Sequence, residues 1–177
     1  MNTLIYPHEI ILFSEQIKEM VTELGRQITV DYVNRDLLAI CVLKGSIIFF
    51  ADLIRAIDLP LATDFISVSS YNGKKESSGK VEIKNDIAIP VKEKDILLVE
   101  DIIDTGISVS RIIEHLKGKG PRSIKICALL DKKGARNPSC HIRCDYSGFD
   151  VPEKFLIGYG LDYNEKYRNL PFIAAME

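Results

Sequence analysis

Almost unbroken aliphatic runs alternate with amphipathic stretches along this chain. Leu37–Leu43, Ile96–Val99 and Ile124–Leu130 have strand length and show no polar alternation, the pattern of strands buried on both faces of a parallel sheet. Ala62–Ser69 predicts a further strand, and the alternation of Val81 and Ile83 predicts that a strand resumes there. Between these runs the period changes to that of a helix. Ile17, Met20, Val21, Leu24 and Ile28 predict a helix from about Ser14 to Tyr32, with Ser14 as its N-cap. Ile47–Ile57 reads as an apolar helix. Val109, Ile112, Ile113 and Leu116 fall at i, i+3, i+4 and i+7, with Ser108 near the N-cap and Gly118, Gly120 and Pro121 as the stop. Tyr6–Phe13 is apolar and extended, Gly134–Ser147 is irregular, and Phe172–Ala175 adds a last short strand. Strands alternating with helices predict an α/β fold around a mostly parallel sheet.

Polar residues interrupt this pattern at strand ends. After Val99 come Glu100, Asp101 and Asp104, then Thr105, Gly106 and Ser108. Carboxylates at the end of a core strand are costly unless a site uses them, and ligands of open α/β sheets bind in the crevice beyond the strand C-termini. A small-residue turn entering a helix offers free backbone N–H groups and two hydroxyls, which suit a phosphate. The carboxylates suit sugar hydroxyls, a divalent cation or a proton. Together they point to a sugar phosphate with a metal. The plain alternative for Asp-x-x-Asp-Thr-Gly alone is an ordinary βα turn with a solvated acidic rim.

Three other stretches invite similar questions. Leu43-Lys44-Gly45-Ser46 again joins a buried strand to a helix. It is either a simple connection with an exposed lysine or a loop whose amides and cation neutralise a diphosphate. Asn72–Lys80, polar and glycine-bearing, is a surface hairpin or a mobile lid, and composition alone favours the hairpin. Lys132-Lys133 reads as a solvated turn and Phe155 as core.

Composition narrows the class. The 177 residues suffice for one domain with a sizeable core, and 46% hydrophobic with 27% charged residues is the balance of a globular protein. A net charge of −2 predicts no broad attraction to nucleic acid. No apolar run approaches the roughly 20 residues of a membrane span, and the N-terminus lacks the features of a signal peptide. A cytoplasmic protein is expected. Of the four cysteines, Cys41 and Cys127 lie in strand patterns as small hydrophobes, while Cys140, His141 and Cys144 match no standard zinc spacing. No G-x-G-x-x-G or G-x-x-x-x-G-K-[ST] string occurs, which argues against dinucleotide and P-loop sites.

Val99-Glu100-Asp101-Ile102-Ile103-Asp104-Thr105-Gly106 resembles the ribose-phosphate signature of the type I phosphoribosyltransferases, in the form carried by the hypoxanthine-guanine branch. Leu43-Lys44-Gly45 resembles that branch's pyrophosphate loop, in which the Leu-Lys peptide can be cis. Ser69-Ser70-Tyr71 through Ser77-Ser78-Gly79-Lys80-Val81 resembles its flexible loop, with Glu76 where threonine is common and Asn72 where glycine is common. Phe155-Leu156-Ile157-Gly158-Tyr159-Gly160-Leu161-Asp162-Tyr163-Asn164-Glu165 and Arg168 resemble its base-binding region. The resemblance spans about Leu37 to Arg168, with the motifs in the family's order.

It implies one domain over 1–177, a sheet core of about 37–147, and a small hood formed by the N-terminal segment and about 148–177. It implies 5-phosphoribosyl-1-diphosphate and a 6-oxopurine as substrates, Mg²⁺ as cofactor, and a homodimer or homotetramer. Asp104 would be the catalytic base. Asp104, Thr105, Gly106, Ile107 and Ser108 would bind the 5′-phosphate, although Ile107 stands where the family often carries a polar residue. Glu100 and Asp101 would address ribose and metal, with Asp162 also near the metal. Lys44, Gly45 and Arg168 would hold pyrophosphate, and Ser70 and Tyr71 would belong to the lid. Lys132, Phe155, Leu156 and Asp162 would contact the purine, with Lys132 donating to its exocyclic oxygen. Other readings are a regulatory protein of the same fold that binds nucleotides and RNA, a transferase for xanthine or another base, and a structural α/β domain.

Overall fold

Burial on both faces organises the central sheet. A computed structural model describes residues 9–70 and 81–176. The chain runs β1 (Glu9–Leu12), α1 (Ser14–Asp31), β2 (Leu37–Leu43), α2 (Ile47–Ala56), β3 (Ala62–Ser70), β4 (Val81–Asn85), β5 (Asp95–Ile103), α3 (Ile107–Lys117), β6 (Ser123–Asp131), β7 (Tyr146–Asp150), β8 (Phe155–Ile157) and β9 (Ile173–Met176), with a short 3₁₀ turn over Lys133–Ala135. Six strands form one sheet in the order β4-β3-β2-β5-β6-β7, parallel throughout except where β4 runs antiparallel to β3.

Successive residues of each central strand face opposite core layers. Leu37, Ala39 and Cys41 of β2, Leu97 and Val99 of β5, and Cys127 and Leu129 of β6 pack with the buried residues of α1 and α2. Leu38, Ile40 and Val42, Ile96 and Leu98, and Ile126 and Ala128 pack with Val109, Ile112 and Leu116 of α3. Two apolar faces per strand leave no place for polar alternation, hence the continuous runs. The α1 and α2 backbones approach closely where Gly25 faces Ala56: a Cβ on Gly25 would lie 2.5 Å from the Ala56 carbonyl oxygen.

β2 and β5 are neighbours, and their following helices lie on opposite faces of the sheet. That is the switch point at which a crevice opens beyond the strand ends. A second, antiparallel sheet in the order β1-β9-β8 joins segments from both ends of the chain.

Several boundaries differ from expectation. Phe13, not Ser14, caps α1, because the Gln16 side chain accepts the Phe13 N–H at 2.9 Å and Ser14 is already helical. Gly106, in a left-handed conformation with φ +82°, takes the cap position of α3, and Ser108 lies within the helix. β5 does not stop at Val99, since its pairing with β6 continues to Ile103 and Asp131, so Glu100 and Asp101 are strand residues. The stretch read as irregular contains the start of β7, an edge strand whose Ser147 and Gly148 break any apolar pattern.

Candidate active site

Glu100 and Asp101 are both buried at the end of β5. The Asp101 N–H donates to Glu100 Oε1 at 3.3 Å, and the Ile102 N–H donates to Asp101 Oδ1 at 2.8 Å. Burial pushes the Glu100 carboxyl well above its ordinary value, and the adjacent Asp101 charge pushes it further. Burial also raises Asp101, against its hydrogen bonds and the distant Arg168. A raised carboxyl pKa favours the folded state most below the ordinary value and loses that stability as pH rises through the raised one. Glu100→Gln should therefore raise the thermal midpoint of the ligand-free protein by several degrees at about pH 8 and by much less at about pH 5, as melting curves at the two pH values would show.

The loop after β2 brings its backbone against this pair, and the loop after β8 backs it in turn. The Leu43–Lys44 peptide is cis. Gly45 lies so close to Asp101 that a Cβ would be 1.8 Å from Oδ2, and a Cβ on Gly160, where φ is +103°, would be 2.0 Å from the Gly45 carbonyl oxygen. Only glycine fits either place. Buried Ser46 fixes the loop by donating to the Val42 carbonyl, with Cys41 Sγ 3.2 Å from its hydroxyl. Lys44 Nζ pairs with Glu165 at 3.1 Å. Arg168 donates to the Gly160 carbonyl at 2.7 Å and pairs with Asp162 at 2.7 Å, while Asp162 also accepts the Glu165 N–H at 2.9 Å.

Beside them a cavity of about 200 Å³ is lined by Gly45, Glu100, Asp104, Thr105, Gly106 and Ser108, among others. Its turn is the one that opens α3. Thr105 Oγ1 accepts the Ile107 N–H at 3.5 Å. The Asp104 side chain is 52% exposed, and Lys132 Nζ, on a side chain only 12% exposed, stands 3.8 Å from Asp104 Oδ2. The Phe155 ring, 53% exposed, meets Tyr163 edge-on at 5.8 Å and 84°. Leu156 is buried and pairs with Ala175, which leaves its backbone at the sheet end.

Gly45 thus meets Asp101 and Gly160, and Lys132 meets Asp104. Asp162 stands in an ion pair with Arg168, and among the described residues no three carboxylate, histidine or cysteine groups gather as metal ligands. Tyr71 and the rest of the segment 71–80, expected to be a lid or a hairpin, lie outside the described residues; Ser70 ends β3. Gly160, Tyr163 and Glu165 lie in the stretch that resembles the base-binding region and Ser46 in the turn after β2, but the sequence assigns none of them a role of its own, and Arg136 not at all. The glycines at 158 and 160 were a visible signal for a close approach. Arg136 lay in a stretch with no periodicity at all.

The class follows from this arrangement and from likeness. The phosphoribosyl transferase domain model matches residues 9–164. A hypoxanthine-guanine phosphoribosyltransferase of Bacillus subtilis is 45% identical over 169 residues, covering 96% of this chain and 93% of that protein. One from Mycobacterium avium is 42% identical over 182 residues, covering 98% of this chain and 89% of that protein. The crystal structure of a hypoxanthine phosphoribosyltransferase from Staphylococcus aureus superposes with a TM-score of 0.93 at 41% identity, covering 100% of this chain and 96% of that one. The fold is that of the type I phosphoribosyltransferases. Within that class, the chain belongs to the hypoxanthine-guanine phosphoribosyltransferase family.

Proposed function

We propose that this enzyme serves purine salvage, converting hypoxanthine or guanine and 5-phosphoribosyl-1-diphosphate to the nucleoside 5′-monophosphate and pyrophosphate. The observation that carries this reading is the pairing of Lys132 with Asp104 at the mouth of the phosphate cavity. It puts a cationic donor and a proton acceptor within one purine's width, beside a turn suited to phosphate. The bond from ribose C1 to the diphosphate breaks, and its electron pair leaves with the diphosphate. Purine N9 bonds to C1, and the proton on N7 passes to Asp104. Lys132 donates to the 6-oxo group, and Phe155 stacks on the base with Tyr163 behind it. The Leu156 backbone and Asp162 border the purine. Amides and hydroxyls of Asp104–Ser108 bind the 5′-phosphate, while Lys44, Gly45 and Arg168 face the diphosphate. Ser70 and Tyr71 belong to the covering loop, which keeps water from the ribosyl cation.

Glu100 and Asp101 fit a role toward the ribose hydroxyls and Mg²⁺. Two buried acids that form no ion pair among the described residues suit an ion that takes one or two carboxylates and completes its shell with water and substrate oxygens. Asp162 would face that ion from across the site. When bound, Mg²⁺ screens the charge of the leaving diphosphate. The single domain spans 1–177, a homodimer or homotetramer is the expected assembly, and four free cysteines suit the cytoplasm.

Mixing the protein with Mg²⁺, phosphoribosyl diphosphate and hypoxanthine, guanine or xanthine in turn, and following the ultraviolet change, tests this reading. Turnover with hypoxanthine or guanine is expected; none with any oxopurine would overturn it. Phe155→Ala should raise the KM for the base by about tenfold, as expected for stacking worth roughly 1–3 kcal/mol, and leave the KM for phosphoribosyl diphosphate within about twofold in the same assay.

A further inference from the structure

The turn that opens α3 is braced from one side by the chain that follows β6. Three successive carbonyls accept hydrogen bonds from residues 132–137. The Lys132 N–H donates to Ile103 O at 2.9 Å, Arg136 Nη1 to Asp104 O at 3.0 Å, and the Asn137 N–H to Thr105 O at 3.0 Å. In a trans peptide the N–H points opposite to the C=O. Drawing these carbonyls toward residues 132–137 therefore sends the N–H groups of Asp104, Thr105 and Gly106 the other way. Asp104, Thr105 and Gly106 line the phosphate cavity.

Two of the three braces are backbone groups that almost any residue supplies. The middle one depends on a side chain. Arg136 is 19% exposed, and its second nitrogen is ion-paired with the Asp131 carboxylate, itself 5% exposed. The planar guanidinium thus spans from a buried acid at the end of β6 to the turn carbonyl. Its stem also helps cover Gly106: a Cβ there would lie 3.3 Å from Arg136 Cδ and 2.7 Å from Ile142 Cδ1.

We propose that Arg136 is a positioning residue for 5′-phosphate binding, which fixes the Asp104–Thr105 peptide plane so that the N–H groups of the turn converge on the phosphate. It acts through the turn and touches no reacting atom. The inference rests on the proposed placement of the 5′-phosphate at 104–108. It predicts a selective defect, because pyrophosphate alone binds at the Lys44–Gly45 side and does not use the turn.

Calorimetric titration of wild type and Arg136→Lys with inosine 5′-monophosphate and, separately, with magnesium pyrophosphate tests it. Lysine keeps the charge opposite Asp131 but has no fork to hold both partners. The expected result is an affinity for the nucleotide lowered about tenfold or more, an affinity for pyrophosphate within about twofold of wild type, and a near wild-type melting temperature. Unchanged nucleotide affinity would overturn the inference, as would equal loss for both ligands, which marks a merely structural role. Wild-type protein that binds no nucleotide would overturn the proposed function itself, and this inference with it. Should Arg136→Lys not fold, the isosteric Asp131→Asn loosens the same brace and should show the same selective loss. Folded Asp131→Asn with wild-type nucleotide affinity would overturn the inference equally.

Discussion

Asp104→Asn should lower kcat for nucleotide formation by about a hundredfold, within the range for loss of a general base, and leave the fold intact. The amide matches the carboxylate in size but accepts no proton. Beyond the charge facing Lys132, little else is disturbed. The side chain is half exposed, and the backbone carbonyl keeps its bond to Arg136. Stability should stay within about 0.5 kcal/mol of wild type. The KM for phosphoribosyl diphosphate should change little, because the proposed 5′-phosphate site is made of the amides and hydroxyls of the turn. Steady-state kinetics with hypoxanthine and melting curves check both halves. Wild-type turnover would remove Asp104 from the base role.

Gly45→Ala should be more damaging, with kcat/KM for phosphoribosyl diphosphate falling on the order of 10³-fold, or roughly 4 kcal/mol. The added Cβ would stand 1.8 Å from Asp101 Oδ2, and the Gly45 carbonyl is already so close to Gly160 that a Cβ there would lie 2.0 Å away. The loop has no room to retreat. Asp101 must turn aside or the loop must shift, and either change moves groups proposed to meet ribose, metal and diphosphate. Overpacking of this kind costs about 1–3 kcal/mol of stability. Gly134→Ala is the control. Its Cβ would lie 2.5 Å from the Glu153 carboxylate, but that is the end of a flexible, exposed side chain which can swing away. Near wild-type kinetics are expected for Gly134→Ala. Equal loss in both variants would show that crowding, not the Asp101–Gly45–Gly160 stack, is being measured.

The central strands were legible because one physical cause, burial on two faces, writes itself on every residue of Leu37–Leu43 and Ile96–Val99. Glu100 and Asp101 stood out as candidate site residues because buried carboxylates at the end of a core strand are otherwise unfavourable, and half-exposed Asp104 stood out with them as part of the same acidic turn. Their geometry was less legible. Glu100 and Asp101 sit within β5 rather than beyond it, because ladder pairing with β6 is a property of two strands and leaves no mark on one. The α3 cap was misplaced for a similar reason. Ser108 offers the usual side chain, but Gly106 takes the left-handed conformation and lets the backbone do the capping. β7 was missed because an edge strand needs only one partner and carries little apolar signal. Lys132 stood out only through likeness to a family; alone it is one of two lysines at a strand end. Arg136 left no trace, since a guanidinium that braces a turn some thirty residues earlier has no local period.

The central claim is that the Asp104–Lys132 pair reads a 6-oxopurine. Its most direct test is kcat/KM for hypoxanthine against adenine, each with phosphoribosyl diphosphate and Mg²⁺. Adenine offers an amino group to the Lys132 ammonium, leaving a donor facing a donor. A site built to hydrogen-bond one group rejects its mismatch by about 10⁴-fold or more. The account predicts a preference for hypoxanthine of that order. Comparable values for the two bases would contradict it.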